Sequence, residues 1–187
     1  VNLPNRLTLA RIVLIPVFMT FLLLKVPKGY AIFPHQDMVA AVIFILASAT
    51  DGLDGYIARK RHQVTNLGKF MDPLADKLLV SAALISLVEL GEVTAWVAWI
   101  ILAREFAVTG LRAIAAVDGV VISASKLGKI KTIAQVVAIS AILLHDWPLS
   151  IIGIQIGQPL LYIALIFTVI SGLDYLRKAR KLLRKIG

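Results

Sequence analysis

The sequence predicts an all-α integral membrane protein with six transmembrane helices and both termini on the cytoplasmic side. Three observations lead there. Of the 187 residues, 59% are hydrophobic and 17% charged, whereas soluble domains sit at roughly 45–50% apolar and about 25% charged. The apolar residues come in long stretches separated by charged clusters. The charge is also one-sided: with a formal net charge of +9, all but Lys25 and Lys28 of the 20 basic residues fall in four clusters, Arg6 and Arg11, Arg59 to Lys77, Arg104 to Lys131, and Arg177 to Lys185. A chain that crosses at each apolar stretch puts those clusters on one face, opposite Lys25, Lys28, Asp37, Glu89, Glu92 and Asp146. That is the positive-inside pattern, with the basic face cytoplasmic. The composition excludes a disordered chain, and the lack of cysteine excludes disulfide-stapled folds, thiolate catalysis, iron–sulfur clusters and cysteine zinc sites. No soluble domain is present to turn the positive charge toward nucleic acid.

The helices are expected at 5–25, 37–59, 72–90, 93–117, 127–145 and 150–176, in one domain spanning 1–187. The first contains the charge-free run Ile12–Leu24, and the second the run Met38–Thr50. Such 13-residue runs also suit a buried soluble helix, and only Trp147–Leu173 is free of charge for 18 residues or more. The membrane assignment rests on the runs lacking a polar face and on their charges gathering at one end. Asp72-Pro73 opens the third helix, Asp118-Gly119 follows the fourth, and Asp146-Trp147-Pro148 marks the turn before the sixth. Outer connections fall at 26–36, 91–92 and 146–149, inner ones at 60–71 and 118–126. The first segment does not read as a cleaved signal, because Asn5, Arg6 and Arg11 interrupt it. Trp96, Trp99 and Trp147 read as interfacial anchors, and the six basic residues from Arg177 to Lys185 as an anchor to an anionic leaflet. Gly153, Gly157 and Gly172 would permit close helix packing, within the chain or in a dimer. His35, His62 and His145 have no partner at metal-ligand spacing.

The second helix ends in Asp51-Gly52-Leu53-Asp54-Gly55-Tyr56-Ile57-Ala58-Arg59, and Gly68, Asp72 and Asp76 follow. Asp51 and Asp54 share a helix face at i,i+3, and Asp72 and Asp76 share one at i,i+4. A hairpin-length connection makes the two helix ends neighbours, so four carboxylates converge at the membrane boundary. Each aspartate at membrane depth costs roughly 2.5–3.5 kcal/mol, and four uncompensated ones on the order of 10 kcal/mol, comparable to the stability of a whole domain. Oxygen ligands of this kind select hard cations such as Mg²⁺ or Mn²⁺. Paired metals held by carboxylates suit phosphoryl transfer. Taken singly, Asp72 could be a helix N-cap before Pro73, and Asp51 or Asp54 could pair with Arg59 or Lys77.

The run Asp51-x-x-Asp54-Gly55-x-x-Ala58-Arg59, then eight residues, then Gly68-x-x-x-Asp72-x-x-x-Asp76 has eight fixed positions and resembles the signature of the CDP-alcohol phosphotransferases throughout. The six-helix plan is similar to that family as well. The resemblance implies that Asp51, Asp54, Asp72 and Asp76 hold two divalent ions, Mg²⁺ or Mn²⁺. It further implies that Asp76 is general base on the acceptor hydroxyl, that Gly55 and Gly68 make room for the cytidine and ribose, that Arg59 holds the diphosphate, and that Thr65 hydrogen-bonds the nucleotide.

Helix 4 carries Arg104-Glu105-Phe106-Ala107-Val108-Thr109-Gly110-Leu111-Arg112 in an apolar setting, and Lys126, Lys129 and Lys131 flank the start of helix 5. Basic groups inside a membrane cavity suggest an anionic acceptor with its own phosphate. Arg104 could instead pair with Glu105, and the lysines could simply mark a cytoplasmic loop. Together with Asn5-x-x-Thr8-x-x-Arg11, these segments resemble the branch of the family whose acceptor is sn-glycerol 3-phosphate. That resemblance implies transfer of a phosphatidyl group from CDP-diacylglycerol with release of CMP, Asn5 and Thr8 bordering the nucleotide, and a homodimer. Arg104, Thr109, Arg112, Lys129 and Lys131 are the candidates for the acceptor phosphate. The expected setting is the cell membrane, multi-pass among membrane lipid, with the active site facing the cytoplasm and no nucleic-acid partner. Alternatives are a related transferase using inositol phosphate, serine or phosphatidylglycerol, a transporter or channel, and a non-catalytic lipid-binding protein.

Overall fold

A chain this apolar satisfies its backbone most completely as helices, whose hydrogen bonds stay within each segment. The computed structural model describes residues 3–24, 35–60, 66–117 and 126–186, and their side chains apart from those of 3–5, 51–60, 66–70, 72–73, 117, 126 and 178–186. Six helices occupy them: α1 (Leu3–Leu23), α2 (Gln36–Lys60), α3 (Asn66–Glu89), α4 (Ala95–Val117), α5 (Lys126–Leu143) and α6 (Gly157–Ile186), with no strand among the described residues. The most extensive pairings are α5 with α6, and α1 with α2 and α3; α4 lies on α6, and α2 also touches α3 and α5.

The helices alternate in direction, as the contacts at one end of the bundle show. Gln36 Nε2 donates to the Leu24 carbonyl at 3.3 Å, tying the end of α1 to the start of α2. His145 Nε2 lies 3.3 Å from Asp37 Oδ2, joining the end of α5 to the same place. Gln158 of α6 donates to the carbonyl of Glu92 between α3 and α4. His145, read from the sequence as having no partner at metal-ligand spacing, is thus a polar tie between helix ends.

Three boundaries differ from the sequence expectation by more than the usual fraying. The inner connection expected at 60–71 shortens to 61–65, because α3 starts at Asn66 and runs through Pro73. Asp72 is therefore inside the helix, which overturns its reading as an N-cap. Interior prolines are tolerated in membrane helices, and α1 likewise carries Pro16. At the other end, Leu149–Ile152 forms a 3-10 turn closed by Gly153 at φ 75°, so α6 begins at Gly157 instead of 150. The reason is a cap that sequence spacing does not reveal: Asp146 Oδ1 accepts from the backbone N–H of Ile156 at 3.2 Å and of Gly157 at 2.7 Å. Finally, α6 runs on to Ile186 beyond the expected 176, since its Arg and Lys residues are good helix formers.

The interior is built for close approach. Ala40, Ala41, Ala83, Ala138 and Ala164 are fully buried beside Phe18, Phe44, Leu84, Ile101 and Ile139, the small-residue packing that membrane bundles use. Gln135 Nε2 donates to Thr168 Oγ1 at 3.1 Å between α5 and α6, a buried polar link. Gly157 packs on α5 and Gly172 on Arg104 of α4, so both are used within this chain. A Cβ on Gly157 would stand 2.7 Å from Ile142 Cγ1 and 3.0 Å from the Ile142 backbone nitrogen. Gly157→Ala is accordingly expected to lower the melting temperature in detergent by a destabilisation of about 1–3 kcal/mol; an unchanged melt would contradict this α5–α6 packing.

Outward, each helix presents large apolar side chains that are more than half exposed: Val13, Leu46, Ile85, Trp99, Ile133 and Ile166 in turn. Water penalises such a belt and lipid does not. By length and composition, α1 (Arg6–Leu23) and α6 (Gly157–Arg177) can each cross a membrane, while the apolar part of α2, Gln36–Thr50, is shorter.

Candidate active site

The polar residues that the bundle cannot place against lipid converge between α3, α4, α5 and α6. There they line a cavity of about 460 Å³, a size that suits a small ligand. Asp76 and Lys77 come from α3, Arg104, Glu105, Thr109 and Arg112 from α4, Lys129, Lys131 and Thr132 from α5, and Tyr175 from α6. The α4 group shares one wall because residues three, four and seven apart recur on one helix face. Gly128 at the start of α5 keeps the wall there free of a side chain.

Glu105 is the centre of the floor. Its side chain is 7% exposed, and it meets Lys77 Nζ at 2.8 Å through Oε2, Arg104 Nη1 at 3.2 Å through Oε1, and Lys131 Nζ through Oε1 as well. Arg104 also donates to Ser171 Oγ of α6, and its guanidinium lies 5.5 Å from the centre of the Tyr175 ring. One carboxylate thus ties together α3, α4 and α5, and Arg104 extends the link to α6. A buried carboxylate is tolerated only with such partners.

The remaining charged groups are more open. The Asp76 carboxylate is 31% exposed and touches Lys77 Nζ at 3.4 Å through Oδ2. Arg112 and Lys129 are exposed on the cavity wall, with no ion-pair partner among the described residues. The cation set is therefore divided: Lys77, Arg104 and Lys131 are bound to Glu105, while Arg112 and Lys129 are exposed.

Against the sequence expectations, the five residues suggested for an acceptor phosphate, Arg104, Thr109, Arg112, Lys129 and Lys131, line this one cavity together with Asp76. The alternative pairing of Arg104 with Glu105 also occurs. Lys77, considered as a partner of Asp51 or Asp54, whose side chains lie outside the described residues, binds Glu105 and Asp76. Thr8 is fully buried on α1 and does not line the cavity. Thr65 lies outside the described residues, and the side chains of Asn5, Asp51, Asp54, Gly55, Arg59, Gly68 and Asp72 are outside them too.

The helical backbone does keep Asp51 and Asp54 three apart on α2, and Asp72 and Asp76 four apart on α3. Among the described residues no group of three metal-ligating side chains forms, which leaves Asp76 the one described member of that set. As a donor set, four carboxylates on two helices in contact fit a hard divalent cation. Sequence reasoning missed the Glu105 hub, Ser171 and Tyr175. The available signal was the acid in an apolar helix, which must find cations, and the i,i+4 pair of a hydroxyl and an aromatic on α6.

A family model described as CDP-alcohol phosphatidyltransferase matches residues 1–170. Among curated proteins the chain is 50% identical over 182 residues to the CDP-diacylglycerol--glycerol-3-phosphate 3-phosphatidyltransferase of Bacillus subtilis (strain 168), covering 95% of this chain and 94% of that protein. It is 43% identical to the protein of the same name from Rickettsia bellii, with 96% of each covered. The one from Salmonella paratyphi A is 38% identical, over 96% of this chain and 95% of its own length.

Proposed function

The chain belongs to the CDP-alcohol phosphatidyltransferase family, and from that premise we propose that it transfers the phosphatidyl group of CDP-diacylglycerol to sn-glycerol 3-phosphate. The observation that carries this reading is the cavity that brings Asp76 together with a set of cations suited to a phosphate. The relatives' names supply the two substrates. The acceptor hydroxyl oxygen attacks the phosphorus next to the diacylglycerol and gives its proton to the Asp76 carboxylate. The bond from that phosphorus to the oxygen bridging to the cytidylyl phosphate breaks, and CMP leaves with the electron pair.

Arg112, Lys129 and Thr109 hold the acceptor phosphate at the cavity wall. Arg104 and Lys131, each paired to Glu105, add their charge to the field behind it. Arg59 holds the diphosphate of the donor, Gly55 and Gly68 leave room for its nucleoside, and Asn5, Thr8 and Thr65 border it. Asp51, Asp54, Asp72 and Asp76 would hold two Mg²⁺ or Mn²⁺ ions, which when bound polarise the donor diphosphate and take up charge on the departing CMP.

The chain is a membrane protein of one domain. In the proposed topology all six helices cross the cell membrane, both termini are cytoplasmic, and two copies form a homodimer. The support is the exposed apolar belt and the division of charge. Glu92, Asp37 and Asp146 lie at the end where α5 meets the starts of α2 and α6, and Lys77, Arg104, Arg112, Lys129 and Lys131 lie around the cavity. A cavity open on the basic side lets a lipid donor enter sideways while the water-soluble acceptor and CMP exchange with the cytoplasm.

The test is CMP release by the purified protein with CDP-diacylglycerol and Mg²⁺, adding sn-glycerol 3-phosphate, inositol phosphate, serine or phosphatidylglycerol separately. Release with glycerol 3-phosphate alone is expected. Release only with another acceptor would overturn the assignment of the cations, and none with any acceptor would overturn the transferase reading. In the same assay Arg112→Ala is expected to raise the acceptor KM about 10–100-fold, the scale of one charge-assisted hydrogen bond. The KM for CDP-diacylglycerol should not move, and an unchanged acceptor KM would remove Arg112 from the phosphate seat.

A further inference from the structure

The chemistry above makes no use of Glu105, the most connected side chain in the cavity. A bland role is available: Lys131 is 3% exposed, and a buried ammonium needs a carboxylate. That role accounts for the Lys131 contact and leaves the arrangement at Lys77 unexplained. The Lys77 ammonium stands between two carboxylates at unequal distances, 2.8 Å from Glu105 Oε2 and 3.4 Å from Asp76 Oδ2. The shorter contact has the length of a charge-assisted hydrogen bond, whereas the longer one is at the outer limit of any hydrogen bond. Lys77 is the next residue to Asp76 on α3, and its flexible stem could bring the ammonium fully onto Asp76. The contact across to α4 is the one that draws it away.

We propose that Glu105 is a positioning residue of the transfer reaction, which acts by holding the Lys77 ammonium off the Asp76 carboxylate. The proposal rests on Asp76 being the base, as in the reading above. A base must offer a free oxygen to the acceptor hydroxyl, and Asp76 has one carboxylate oxygen directed to Lys77 only at long range. Removing the Glu105 charge leaves Asp76 as the remaining carboxylate partner of Lys77 among the described residues, in a pocket where Lys77 is 16% exposed and water screens poorly. The ammonium then closes on Asp76, and an ion pair must be broken before a hydroxyl can reach the base. Glu105 is well placed for the task because its other oxygen is anchored by Arg104, itself bonded to Ser171 of α6, and by Lys131 of α5. The lever that keeps Lys77 in place is therefore rigid.

The experiment compares CMP release at saturating acceptor, and thermal melting of the same preparations in detergent, for wild type, Glu105→Gln, and Glu105→Gln combined with either Lys77→Met or Lys131→Met. Glu105→Gln is expected to lower kcat at least about tenfold, the scale of one interaction with a charged group, with the KM for CDP-diacylglycerol unchanged. Adding Lys77→Met should restore most of kcat, because no ammonium remains to close on Asp76. Adding Lys131→Met should restore the melting temperature, because the unpaired buried ammonium goes with its partner, and should leave kcat low. If Glu105→Gln alone proves too unstable to assay, the same comparison is made in the Lys131→Met background, with and without Lys77→Met. Recovery of kcat by Lys131→Met, or failure of Lys77→Met to recover it, would overturn the proposal and leave Glu105 as the counter-ion of Lys131. Absence of CMP release from the wild type would instead refute the transferase reading, and the proposal with it.

Discussion

Asp76→Asn is expected to abolish CMP release while leaving a folded protein. The substitution keeps the shape of the side chain and an oxygen that can still accept from Lys77, but it removes the group able to take a proton from the acceptor hydroxyl. General-base catalysis is worth about 10²–10⁴-fold, so kcat should fall into that range or below detection. The structural cost should be small. Asp76 is about a third exposed, and its one ion pair among the described residues, to Lys77 at 3.4 Å, is long, so the melting temperature measured without divalent cations should move little. A variant that melts like the wild type and keeps full kcat would end the role of Asp76 as base. A variant that fails to fold would instead mean that Asp76 holds the helices together, which its exposure argues against.

The contrast between Asp76 and Glu105 shows what a sequence of this kind discloses. The number of helices is readable because apolar runs alternate with charged clusters, and the six α-helices among the described residues correspond one to one with them. The aspartates stood out through their spacing within single helices, which a helical repeat converts directly into shared faces. The gathering of Arg104, Thr109, Arg112, Lys129 and Lys131 around one cavity was foreseeable to the extent that α4 and α5 are joined by a short connection on the basic side.

What lay beyond reach depends on the rotation of one helix against another. Glu105 and Arg112 share a face of α4, yet whether Lys77 of α3 or Lys131 of α5 meets Glu105 is decided by packing, to which local spacing is blind. The Asp146 cap bridges ten residues to Ile156 and eleven to Gly157, so the start of α6 was misplaced at 150. The start of α3 was misplaced because Asp72-Pro73 is as good a cap in isolation as any helix start. Here the preceding turn from Asn66 is helical already, and tertiary context outweighs the local preference.

Removal of divalent cations should have the second large effect. Asp51 and Asp54 lie one turn apart on α2, Asp72 and Asp76 one turn apart on α3, and these two helices are in contact and joined by residues 61–65. Four carboxylates brought together as proposed would repel each other, and a pocket at a membrane boundary would screen that repulsion less than bulk water does. The reaction also adds negative charge on the departing CMP, which the same cations would share. Chelation is therefore expected to reduce CMP release to background, with full recovery on addition of excess Mg²⁺ or Mn²⁺. It should also lower the melting temperature. A cation present at about 100 times its dissociation constant contributes about 2.7 kcal/mol to the folded state, and chelation takes that away. Asp54→Asn should lose activity even with Mg²⁺ present, because one ligand is gone, and its melting temperature should respond less to chelation than that of the wild type. Undiminished CMP release in excess chelator would overturn the assignment of the aspartates as metal ligands. The protein would then have to offset their repulsion with its own cations, which Lys77 alone, already divided between Asp76 and Glu105, is poorly placed to do.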